Sequence, residues 1–157
     1  MLQAGTSAPD IRLLSLTGEE VVLAEQLKQG SVALVFFKVS CPTCQFSLPF
    51  LERLYSAQSA GAPRILGISQ DGAAATLEFN RRFGIHFPVL LDPAKDNYPA
   101  SNAYRITNVP SLFLVEEGGR IAWALNGFHK GEMERLGERF GQSPFEHGER
   151  VPALRPG

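Results

Sequence analysis

The stretch SVALVFFKV, residues 31–39, constrains the fold of this chain more than any other. It is apolar almost throughout and built largely from β-branched and aromatic residues. Such a run reads as a strand buried on both faces, as in a parallel sheet. It leads straight into Cys41-Pro42-Thr43-Cys44. Beyond the cysteines, Phe46, Leu48, Phe50, Leu51, Leu54 and Tyr55 recur at helical spacing. Gly61 and Pro63, in SAGAP, are expected to stop that helix. RILGIS, residues 64–69, reads as a second short buried strand. A strand, a helix and a strand of this length form a βαβ unit with its two strands parallel.

The rest of the chain can be fitted around that unit. Residues 10–23 read as an extended pair, DIRLLSL and EVVLAEQL, around a turn at Thr17-Gly18. GAAATLEFNRRFG reads as a helix with Leu77, Phe79 and Phe83 near one side, ended by Gly84. FPVLLD is a candidate short strand, and NYPASNAYRI is expected to hold a helical turn or two. SLFLVEEGGRIAWAL is a hairpin around Gly118-Gly119. KGEMERLGERFG sets Met133, Leu136 and Phe140 on one face of an amphipathic helix. Residues 141–157, rich in Gly and Pro, read as an irregular tail. The expected fold class is therefore α/β: a βαβ half and a ββα half around one mixed sheet flanked by helices. An N-terminal hairpin and a helical insert complete this thioredoxin architecture. The length fits a single domain over 1–157, with its core at about 5–140.

Charge and cysteine usage narrow the function. With 15 basic and 16 acidic residues and a net charge of −1, no block recommends nucleic acid as a partner. The longest apolar run, VALVFF, is far too short to span a bilayer. MLQAGTSAPD lacks the charged flank and apolar segment of a signal peptide, so the chain as written reads as cytoplasmic. An exported protein shorn of its leader would read the same. Two cysteines are too few for a stapled scaffold, and a bridge across two intervening residues gains little unfolded-state entropy.

Three readings are open for Cys41 and Cys44: a redox couple, half of a metal site, or two inert buried thiols. A structural zinc needs about four ligands. His86, His129 and His147 are the other candidates, and none is paired at ligand spacing. Position favours the redox couple. At the start of a helix, free N–H groups and the positive end of the dipole stabilise a thiolate on Cys41. Cys44, one turn further in, can then attack a mixed disulfide on Cys41. Pro42 suits the first turn, where its missing N–H is no loss. Pro110 stands directly before the strand SLFLV, and a cis Val109–Pro110 bond would leave the Val109 backbone free to pair with an extended substrate.

These motifs, over about residues 5–140, resemble the thioredoxin-like redoxins and most closely the TlpA-like thiol-disulfide oxidoreductases. AGTSAPDIRLLSLTGEEVVLAEQLKQGSVALVFFKVSCPTC looks like that family's opening. Pro49 matches its helix proline, and YRITNVPSLFLVEEGGRI its cis-proline segment and hairpin. The resemblance implies Cys41 as attacking cysteine, Cys44 as resolving cysteine, and Pro110 as the facing cis-proline. Ser40, Pro42, Thr43 and Val109 would meet substrate. It implies an acidic residue after the second βαβ strand, at Asp71, to carry the Cys44 proton; a helix N-cap is the other reading of Asp71. No cofactor or metal beyond the Cys41–Cys44 disulfide is implied. The implied partners are protein or small-molecule disulfides and a redox protein that donates or accepts electrons, with the chain acting as a monomer. Ser40 stands where many relatives carry Trp, and Val35 where thioredoxins carry a buried Asp. Lys38 could add positive potential at Cys41 or point to solvent.

Two other functions fit parts of the pattern. The neighbouring AhpC/TSA peroxiredoxins share the lead-in, but their active-site Pro and Thr would fall at Leu34 and Lys38. Pro110 stands where their peroxide-binding Arg would be. A thiol peroxidase or antioxidant activity is thus the alternative enzyme. A redox sensor or metal carrier is the non-enzymatic alternative; a copper carrier would want wider cysteine spacing and a well-placed His.

Overall fold

The computed structural model describes residues 1–57 and 59–157. In chain order its elements are β1 (Arg12–Ser15), β2 (Glu20–Val22), α1 (Leu23–Leu27), β3 (Val32–Phe37), α2 (Pro42–Ser56), β4 (Arg64–Ser69) and α3 (Ala73–Phe83). There follow β5 (Val89–Leu91), a short 3-10 turn (Ala94–Asp96), α4 (Pro99–Ala103), β6 (Ser111–Val115), β7 (Ile121–Asn126), β8 (Phe128–His129), α5 (Lys130–Phe140) and β9 (Leu154–Arg155). Among the described residues, seven strands form one mixed sheet in the order β2-β1-β5-β4-β3-β6-β7.

The buried run does what its composition requires. Every residue of β3 is buried, because it lies at the sheet centre between β4 and β6 with both faces covered. β3 and β4 are parallel, with Phe37 opposite Ser69. β6 is antiparallel to β3, with Ser111 opposite Phe36. This register fixes the site. The C-terminal ends of β3 and β4 and the start of β6 meet at one edge, bringing together the loops that follow Phe37, follow Ser69 and precede Ser111. Phe36, Tyr104 and Phe113 pack ring to ring beneath that edge. Met133, Leu136 and Phe140 are all buried, as the pattern of α5 predicts.

Several local expectations are corrected. EVVLAEQL is not one strand arm: pairing with β1 ends at Val22, opposite Arg12, and LAEQL turns into α1 with Leu23 and Leu27 buried one turn apart. The helix α2 stops at Ser56, short of Gly61, with the Arg53 carbonyl accepting the Gln142 side-chain amide. On α3 the buried face is Thr76 and Phe79, and Leu77 points out at 53% exposure. The tail is only partly irregular. Leu154–Arg155 pairs antiparallel with Phe128–His129. Phe145 packs on Phe50 and Phe128, and Arg53 bonds Glu149 at 2.7 Å. Gly137 admits this segment: a Cβ there would lie 2.4 Å from the Gln142 carbonyl oxygen. Among the described residues, no helix is long and apolar enough to cross a membrane.

Candidate active site

Cys41 is the N-cap of α2, in extended conformation, with Pro42 in the first turn. Its sulfur accepts the Cys44 N–H at 3.1 Å, so a helix-start amide points at Sγ. The same thiol reaches the Val109 carbonyl at 3.4 Å. Cys41 is half-buried, Ser40 and Pro42 beside it are exposed, and the Lys38 side chain also faces solvent. Pro49 lies inside α2 and leaves the Gln45 carbonyl without its intrahelical donor.

Cys44 is fully buried. Both cysteines are free thiols. Burial pushes the Cys44 thiol well above its ordinary range; the hydrogen bond to Cys41 and the charges of Cys41 and Asp71 push it the same way, against a smaller backbone contribution from Lys38. The inner sulfur is therefore a protonated thiol at neutral pH. This has a consequence for stability. Above the ordinary thiol value of 9.0, the unfolded chain loses the Cys44 proton and the native dithiol form keeps it. Stability from this group is thus complete below that value and falls as pH rises, by about 1.4 kcal/mol per pH unit. Urea unfolding of the dithiol form is expected to weaken between pH 9 and 10 relative to the Cys41–Cys44 disulfide form, which has no thiol to ionise. Equal slopes for the two forms would contradict this.

Asp71 lies in the loop after β4, beside the cysteine segment. Its Oδ2 accepts the Val39 N–H at 2.8 Å, and its own N–H donates to Ser69 Oγ at 3.1 Å. Gly72, not Asp71, is the N-cap of α3, and no side chain caps that helix. The carboxylate is therefore turned toward the redox loop.

Val109–Pro110 is cis. This loop is held by contacts that no local sequence motif marks. The side-chain amides of Asn108 and Asn126 pair face to face, at 2.6 and 2.8 Å, and Ser111 Oγ donates to the Asn108 carbonyl at 2.7 Å. The hairpin register, which sets Asn126 opposite Ser111, is the signal that could have found the pair. The family resemblance would put Thr43 in contact with substrate. It is buried instead, and its hydroxyl donates to the Pro156 carbonyl at 2.7 Å. A hollow of about 250 Å³ opens beside the loop, lined by Lys38, Gln70, Asn108 and Val109 among others. Among the described residues, no three His, Cys, Asp or Glu side chains gather to hold a metal.

Comparisons with known proteins bear on this geometry. The model of the AhpC/TSA family matches residues 4–124. The thiol-disulfide oxidoreductase ResA of Geobacillus kaustophilus (strain HTA426) is 29% identical over 133 residues, covering 83% of this chain and 74% of that protein. The thioredoxin domain of a thiol-disulfide oxidoreductase from Bacteroides vulgatus superposes with a TM-score of 0.73 at 24% identity, over 82% of this chain and 91% of that one. Peroxidoxin BcpB from Mycobacterium tuberculosis superposes at 0.76 and 16% identity, over 90% and 97% of the two chains. These two likenesses carry the fold, which is the thioredoxin fold.

Proposed function

This chain belongs to the AhpC/TSA family, and we propose that within it the protein is a thiol-disulfide oxidoreductase rather than a peroxidase. The observation that carries this reading is the asymmetry of the two sulfurs: Cys41 half-buried with a helix-start N–H on it, Cys44 fully buried and held protonated. The relatives named as thiol-disulfide oxidoreductases support it. So do Leu34 and Lys38, which stand where the peroxidase pattern has Pro and Thr.

The exchange then runs in two displacements. The Cys41 thiolate attacks one sulfur of a substrate disulfide, forms a Cys41 mixed disulfide, and expels the other substrate sulfur as a thiolate. Cys44 gives up its proton, with Asp71 as the acceptor, and attacks Cys41 Sγ. The Cys41–Cys44 bond forms, the second substrate thiol leaves, and two electrons have passed to the substrate. A redox protein of opposite poise restores the dithiol. Val109 and Pro110 form the wall facing Cys41, and Ser40 and Pro42 are its exposed rim. The protein acts as a monomer on protein or small-molecule disulfides and needs no cofactor beyond its own cysteines.

Trapping tests the order of attack. Cys44→Ser is expected to accumulate the mixed disulfide on Cys41, seen as a mass adduct that dithiothreitol removes. Partners recovered this way from cells also report the compartment in which the protein works. An adduct that forms equally in Cys41→Ser, or none in Cys44→Ser with any disulfide, counts against the reading.

A further inference from the structure

The last residues of this chain lie between the Cys41–Cys44 turn and the cis-proline loop. After β9, Pro156 accepts the Thr43 hydroxyl at 2.7 Å, inside the Cys41–Cys44 loop. Gly157 lies against the opposite wall: a Cβ there would meet the Val109 carbonyl oxygen at 2.6 Å and the Asn108 amide nitrogen at 2.9 Å. The Val109 oxygen is the same atom that takes the Cys41 thiol. Residues 155–157 thus bridge the first turn of α2 and the cis-proline loop. The approach is built into the sequence at both ends. Gly127, at φ +74°, has room for the strap because a Cβ would lie 2.8 Å from the Arg155 carbonyl oxygen and 3.1 Å from the Gly157 nitrogen. The Arg155 guanidinium lies over the Phe46 ring, 4.6 Å from its centroid. The Lys130 N–H bonds the Ala153 carbonyl at 2.9 Å, carrying the β8 pairing onward. A two-residue ladder with β8 thus anchors the segment, and the backbone beyond it reaches the cysteine loop.

We propose that Arg155–Gly157 is a resident strap that sorts reactants at Cys41 by size. Small disulfides reach the sulfur over the exposed Ser40 and Pro42 rim with the strap in place. An extended polypeptide must displace it to reach the Thr43 and Val109 backbone. The inference rests on the disulfide-exchange reading for its biological meaning, though access to Cys41 can be measured without it.

The test compares Gly157→Val, which drives a side chain into the Val109 carbonyl, and Arg155→Ala, which removes the contact with Phe46. Leu154→Ala, at a side chain 53% exposed, is the control. Each dithiol protein is reacted with iodoacetamide and with a polyethylene-glycol maleimide, and assayed on hydroxyethyl disulfide and on insulin. In both strap variants the bulky reagent and insulin are expected to react about five-fold faster, the worth of one such contact, with the small reagents within about two-fold of the parent. Leu154→Ala should match the parent. The strap is overturned if neither variant speeds the bulky maleimide, or if large and small reagents accelerate alike. If the maleimide rate rises while neither disulfide is turned over by any variant or the parent, the strap stands and the exchange reading falls.

Discussion

Replacing Cys41 by serine is expected to lower disulfide exchange at least about a thousandfold. A serine hydroxyl is not ionised at neutral pH, and the thiolate is the attacking species. Cys44 cannot substitute for it. That thiol has no exposed surface, and burial holds it protonated. The variant is also a clean one. Cys41 caps α2 by accepting the Cys44 N–H, and serine is among the best residues for the same bond. Melting should therefore stay close to the parent while turnover vanishes. Full reductase activity in a folded Cys41→Ser protein would remove Cys41 from the role of nucleophile. The contrast with Cys44→Ser sharpens the result, because that variant keeps the first displacement and loses the second.

How far the sequence foretold this site depends on the range of the interactions involved. The β3 strand was legible because a residue buried on both faces leaves its mark in every position of VALVFF. The cap at Cys41 was legible because Pro42 and the apolar spacing of α2 are local signals. β6 and β7 were legible for the same reason, with Gly118-Gly119 between them. The helix α1 was not. Only EVV is strand-like; LAEQL is made of good helix formers, but five residues are too few to show a helical period, and β1, which begins at Arg12, decides where pairing stops. The segment 141–157 was opaque for a stronger reason. Its order comes from contacts such as Arg53 with Glu149 and Thr43 with Pro156, between residues far apart in the chain and without periodicity. The consequence reaches the site itself: Thr43 could be named from its position in the motif, but what covers it could not.

Asp71 supplies the second large expected effect, because two opposing influences meet there. Its charge is one of the causes that hold the Cys44 proton on, and the smallest among them. Removing that charge alone would make Cys44 slightly more acidic and its attack easier. Removing the carboxylate as proton acceptor works the other way, and a positioned general base is worth about a hundredfold or more. The larger effect should win. Asp71→Asn is expected to slow the second displacement about a hundredfold, with the mixed disulfide building up on Cys41. Asparagine keeps an oxygen for the Val39 N–H, so the loop and the melting temperature should hold. The pH profile separates chemistry from structure. With the carboxylate gone, hydroxide must take the Cys44 proton, and the slowed step should recover about tenfold per pH unit on the alkaline side. A merely structural Asp71 would give a rate lowered equally at every pH. A faster second step in Asp71→Asn would mean that the carboxylate acts on Cys44 only as an electrostatic brake.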